Sequence, residues 1–196
     1  MPAYTVPKAP TSLGAGYLLY GTLGSALPTN TVAGSIFTDD WSIVSGWSLL
    51  GVTKTGHEFT YDLQTDTVDA AEYFDPLATV TTGRTISMKF ELQLINATTV
   101  KRMLNGGTST PTGSGATALT TYTPPSPGAE NRCMIGWESQ DNTERLVMEQ
   151  AFQAGSLTIS RQKGNDTATL PVEFRAEIPA SGFPYRHYFA GAVRAL

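Results

Sequence analysis

The chain holds one cysteine, two histidines and few charges, and each scarcity closes off some chemistry. A lone Cys133 permits neither an internal disulfide nor a cysteine cage around a metal. His57 and His187 are the only imidazoles, and no Gly-x-Ser-x-Gly elbow accompanies them, so nucleophilic catalysis has little to build on. Charged residues make up 15% of the 196, against about 25% in ordinary globular chains. The net charge is −4, the wrong sign for a protein that grips phosphate backbones. No apolar run approaches the ~20 residues of a membrane-spanning helix, and Met1 to Lys8 lack the basic start and apolar core of a signal peptide. Synthesis in the cytoplasm without membrane insertion is expected.

Threonine, serine and glycine stand where charges are missing, a composition suited to strands and turns. Residues 1–46 read as an extended N-terminal arm, punctuated by Pro2, Pro7, Pro10 and Pro28 and by Gly14, Gly16, Gly21 and Gly24. Its apolar residues, Tyr17 to Tyr20, Ile36, Phe37 and Trp41, need a surface to pack on. A body over 47–178 follows. Residues 56–66 alternate, with Phe59, Tyr61 and Leu63 facing one way and Glu58, Asp62 and Asp66 the other, which predicts a half-buried strand. Arg84 to Ile95 alternates more strictly, placing Ile86, Met88, Phe90, Leu92 and Leu94 on one face.

A short helix is expected near 97–105, capped by Asn96, striped by Ala97, Val100, Met103 and Leu104, and stopped at Gly106. The stretch 107–131 is of low complexity and reads as a long loop. Strands are expected at 133–138, 144–150, 156–161 and 169–178, the last with Leu170, Val172, Phe174, Ala176 and Ile178 inward. Turns fall at 140–143 and 163–166. Residues 179–196 make a second arm. The whole reads as one mainly β domain, a β-sandwich or barrel with one short flanking helix and extended arms at both ends.

The remaining motifs yield no reactive centre. Cys133 shares an apolar strand face with Ile135 and Trp137, the pattern of a buried structural thiol. Asp62, Asp66, Asp69 and Glu72 lie on a strand pattern without the glycine turn of a calcium loop, and read as a solvated or channel-facing edge. Gly113 to Ala118 fits a loose phosphate fingerprint but lacks the buried strand before it and the helix after it. No catalytic, metal or cofactor-binding residue is assigned. Aromatic anchors in the arms, Tyr17, Tyr20, Phe37, Tyr185, Tyr188 and Phe189, suit contacts between subunits of an assembly.

Trp47-Ser48-Leu49-Leu50-Gly51-Val52-Thr53-Lys54-Thr55-Gly56 resembles the W-x-x-L-G-x-T-x-x-G opening of siphophage major tail proteins. Glu72-Tyr73-Phe74-Asp75-Pro76, the alternating strand from Thr85 to Leu94, the helix at 96–105 and a glycine-rich loop follow in that family's order. The resemblance covers about 37–105 closely and the remainder in outline, and the 107–131 segment departs from it. It implies a sandwich similar to the type VI secretion tube protein, with no catalytic residues. Hexameric rings would stack into a tube in the virion, meeting tail tip, tail terminator and tape measure proteins, while DNA passes through unbound. Glu58, Asp62 and Asp66 are then candidates for the lumen, where an acidic wall would not hold DNA. A capsid decoration or cement protein and a carbohydrate-binding β-sandwich module are the rival readings; the latter needs exposed aromatics on a flat face.

Overall fold

The computed structural model describes residues 16–51, 53–69, 73–93, 95–159, 161 and 168–191. The chain runs through β1 (Gly16–Thr22), β2 (Val32–Ala33), β3 (Ile36–Phe37), β4 (Trp47–Leu49), β5 (Thr53–Val68) and β6 (Ala78–Leu92). The helix α1 (Ala97–Met103) follows, then β7 (Thr108–Thr112), β8 (Leu119–Thr123), β9 (Cys133–Ser139), β10 (Glu144–Gln153), β11 (Leu170–Ala176) and β12 (Tyr185–Phe189). The fold is mainly β, as expected, and its ladders are antiparallel. One sheet runs in the order β4-β1-β9-β10-β11-β6-β5, with β12 joined to β10. It does not close into a barrel. A register shift between Met148 and Ala151 lets the first half of β10 pair β12 and its end pair β11. The sheet folds over there, so that side chains from β6 and β11 meet those from β1, β9 and β10.

Alternation decides which side chains meet. From β9, Cys133, Ile135 and Trp137 enter the main core, with Leu18, Leu146, Met148, Met88, Phe90, Leu92, Leu170, Val172 and Phe174. Met134 points the other way, into a second cluster with Leu19, Val147, Trp41 and Trp47. Central strands buried on both faces read as continuous apolar runs, which is what Cys133–Trp137 and Leu146–Met148 are. Glycine makes room for the rings. A Cβ at Gly136 would lie 2.3 Å from the Trp41 ring, and one at Gly16 would lie 2.3 Å from Trp137 Nε1.

That packing explains the main departure from the sequence reading. Residues 16–22, expected within an arm, form an interior strand between β4 and β9; Gly16 and Gly21, which look like loop punctuation, accommodate Trp137 and Trp47. The other arm likewise supplies β12 to the sheet. Residues 107–131 are not all loop, since β7 and β8 pair as an exposed hairpin. No strand forms over the described part of 156–161, where Leu157 alone packs on the core. Ile178 is 81% exposed because the β10–β11 ladder ends at Ala176, before Pro179. Leu94, the turn at 163–166 and the chain ends at 1–15 and 192–196 lie outside the described residues.

The helix matches its expectation closely. Asn96 Oδ1 accepts the Thr99 N–H at 2.8 Å. The stop comes one residue early, with Asn105 itself at φ +55°. Its side chain then donates to Gln153 O at 3.0 Å and accepts from Gln153 N at 2.9 Å, tying the helix end to β10. Buried Met103 anchors the helix to the core.

Phe90 is 5% exposed and stacks on Phe174 at 5.9 Å. Phe90→Ala is therefore expected to cost about 3–5 kcal/mol. Thr85→Ala, on the opposite face of β6, should cost well under that; chemical denaturation of both variants checks the face assignment.

Candidate assembly surface

β5 and β6 form a hairpin longer than the body that supports it. Thr53 to Val68 pairs Ala78 to Leu92, with irregularities between Thr53 and His57 and between Gln64 and Thr65. β11 supports β6 only over Ser87–Leu92. Residues 78–86 therefore pair β5 alone among the described residues, a projection of about 30 Å at strand rise. Alternation continues into the projection without a layer to cover it. Tyr61 and Leu63, expected inward, are 42% and 48% exposed. Val68, Val80, Leu77 and Tyr73 are exposed too, and Phe74 is fully so. Leu77 N–H donates to Val68 O at 2.8 Å, closing the ladder at the tip.

A strap over 23–46 covers the outer side of the central sheet, and Arg145 fixes it there. Fully buried, its guanidinium donates to Glu138 Oε1 at 2.7 Å, Asp39 Oδ2 at 2.9 Å, Asn30 Oδ1 at 3.2 Å and Asp39 O at 2.6 Å. Its Cζ lies 4.4 Å from the Phe37 ring centre. Burial alone would push the Asp39 carboxyl up, but hydrogen bonding to Arg145 and its charge hold it below the usual carboxylate range. At Glu138 burial wins and the carboxyl is raised, with Asp39 and Asp40 adding to the effect against Arg145. The strap leaves Val32, Ile36 and Ile43 exposed, and Tyr17 of β1 and Leu49 of the edge strand β4 are exposed as well.

The predicted site residues divide. Glu58, Asp62 and Asp66 all lie exposed on β5, paired with Lys89, Thr85 and Val80. Asp69 is also exposed, and Glu72 lies outside the described residues. On the same broad face, Lys89 and Arg175 reach Glu173 at 3.9 and 3.1 Å, solvated pairs of small energetic weight. Of the aromatic anchors, Phe37 is buried within its own subunit, and Tyr20, Tyr185 and Tyr188 are partly buried against its clusters. Tyr17 and Phe189 have exposed rings. Cys133 is buried as expected; burial pushes its thiol up to about 12, and its S–H donates toward Ala151 O at 3.6 Å.

Two features escaped the sequence reading. The Arg145 clamp had a faint signal, an arginine opening the apolar run Leu146-Val147-Met148. The exposed tip had a clearer one, in that two alternating segments of such length outrun any small core. No helix among the described residues is long and apolar enough to cross a membrane.

A mainly β subunit with its bulky apolar side chains on a projecting hairpin has the surface of a structural component of an assembly. The chain belongs to the phage tail tube protein family, whose model it matches over residues 9–179. A search of curated proteins returned no match. Family membership gives the chain a structural role in the virion tail and implies self-association in tubes with other tail proteins.

Removing the clamp leaves two carboxylates buried without their cation. Arg145→Met is expected to destabilise the subunit by about 3–5 kcal/mol. It should also redden the fluorescence of Trp41 and Trp47 as the strap lifts, read by equilibrium denaturation and emission spectra.

Proposed function

We propose that the chain polymerises as hexameric rings that stack into a tail tube, the conduit through which DNA leaves the virion. The observation that carries this reading is the β5–β6 hairpin, with its exposed apolar side chains and two edges that are free among the described residues. A long bare edge in an isolated subunit invites aggregation. In a ring, the β5 edge of one copy meets the 78–86 edge of the next, a head-to-tail contact that rotation can close. Tyr17 and Phe189, on the sheet edge and in β12, serve as further contacts between copies. Tail tip, tail terminator and tape measure proteins cap and fill the tube during assembly in the host cytoplasm.

Glu58, Asp62 and Asp66 face the lumen in this reading. Like-charge repulsion keeps DNA mobile, whereas a lysine repeated around every ring would make a basic collar. Lys89 and Arg175 share the broad face, but both pair with Glu173, whose single carboxylate offsets half of their charge.

Negative-stain micrographs of the purified chain should show six-fold rings or tubes at high concentration. Tyr73→Asp with Phe74→Asp should leave the melting temperature nearly unchanged, since both side chains are exposed, but should prevent polymerisation; tubes of normal length from that variant refute the hairpin's role. Asp62→Lys should assemble tubes of normal width that slow genome ejection. Unchanged ejection, with position 62 open to a label from outside intact tubes, places that face on the exterior.

A further inference from the structure

The hairpin is held to the body through the β6–β11 ladder and, along β5, through a seam made of side chains. β5 is the last strand of the sheet, and its His57, Phe59 and Tyr61 lie over β9 and β12 after the sheet has folded over. His57 rests on Trp137 with ring centres 4.5 Å apart. Phe59 and Tyr61 both meet Tyr185, at 5.3 and 6.1 Å. The ladder with β6 is irregular immediately before His57, at Gly56 with φ +85°, so these ring contacts hold β5 where its own pairing is interrupted.

One polar atom in the seam has no partner. His57 Nδ1 is buried without a hydrogen bond. A neutral imidazole tolerates this by leaving Nδ1 unprotonated, but an imidazolium must place an N–H and a positive charge there. The carboxylate whose charge reaches it, Glu144 of β10, already holds His187 Nε2 at 2.7 Å, and His187 of β12 adds a repulsive charge once protonated. The remaining ionisable groups stand around an opening of about 420 Å³ beside His57: Glu58, Lys89 and Glu91, with Glu173 of β11.

We infer that His57 is a proton-sensitive latch, whose protonation loosens β5 from β9 and β12 while β6 stays paired to β11. The direction of its titration agrees. Burial pushes the imidazole below its ordinary value of 6.5, against the attraction of Glu144 and with the repulsion of His187. A depressed value means the neutral form belongs to the packed state. The stabilising contribution is complete above pH 6.5 and is lost as the pH falls through the packed-state value. The consequence for tubes rests on the hairpin's proposed role in assembly; the latch itself is a property of the single subunit.

The test uses the full-length chain at a concentration below polymerisation. Amide-exchange protection of residues 57–63, taken relative to β9 to remove the intrinsic pH effect, should fall measurably between pH 7.5 and 5.5, by up to about tenfold, the limit for one imidazole whose open-state value is 6.5. In His57→Gln the fall should vanish, and in His187→Gln it should shrink, because the repulsive charge that His187 sets against protonated His57 is removed. Equal loss in His57→Gln, or no loss in the native chain, overturns the latch. A proton NMR titration of the native chain decides the matter independently of how the variants fold, since a His57 midpoint at or above 6.5 also overturns it. Polymerisation is absent from both readouts, so a failed latch and a failed tube assignment are distinguishable.

Discussion

The strands β1, β9 and β10 are apolar on both faces, and the rest of the molecule is organised by the need to cover them twice. On one side the sheet does this itself, folding at the β10 irregularity so that Phe90 and Phe174 close over Ile135 and Met148. On the other side the strap offers only the two-residue ladder β2–β3 and otherwise irregular chain. It lays Trp41 over Leu19, Met134 and Val147, beside Trp47 of β4. Irregular backbone is a poor cover because its polar groups need partners; from beneath, Arg145 meets Asp39 O and holds the Asp39 and Asn30 side chains. The buried cation is thus explained by the cover it holds in place.

Covering the centre exhausts the apolar material of the body and leaves the hairpin bare. β6 illustrates the transition within one strand: Ile86 to Leu92 is core, and 78–82 is exposed throughout. The same alternation that makes a half-buried strand near β11 makes, farther out, a ribbon with no interior. For a monomer this would be a liability. For a member of the tail tube family we propose that it is surface for another copy, and the sparse charge of the chain is consistent with that use.

The sequence disclosed what depends on local period. The alternation through Ile86, Met88, Phe90 and Leu92, the Asn96 cap and the burial of Cys133 all emerge as expected. What it concealed depends on distant partners. Gly16 and Gly21 look like loop residues until Trp137 and Trp47 are placed against them, and only then does 16–22 become a strand. Leu63 keeps the inward pattern of Phe59 but has passed the edge of the body, a fact about β11 rather than about its own segment. The acidic triplet was visible at once as one face of a strand. Which space that face looks into is a property of the assembly and not of the segment.

The depth of Cys133 carries a practical consequence. A thiol raised to about 12 and shielded by Ala151 and its neighbours is almost never a thiolate at neutral pH, and the thiolate is the species that alkylating reagents attack. The native chain is therefore its own silent background for site-directed chemistry. A cysteine introduced on the hairpin or the strap would be the one reactive sulfur in the folded subunit, so spin labels, fluorophores or cross-linkers can be addressed to single positions without first engineering the natural thiol away.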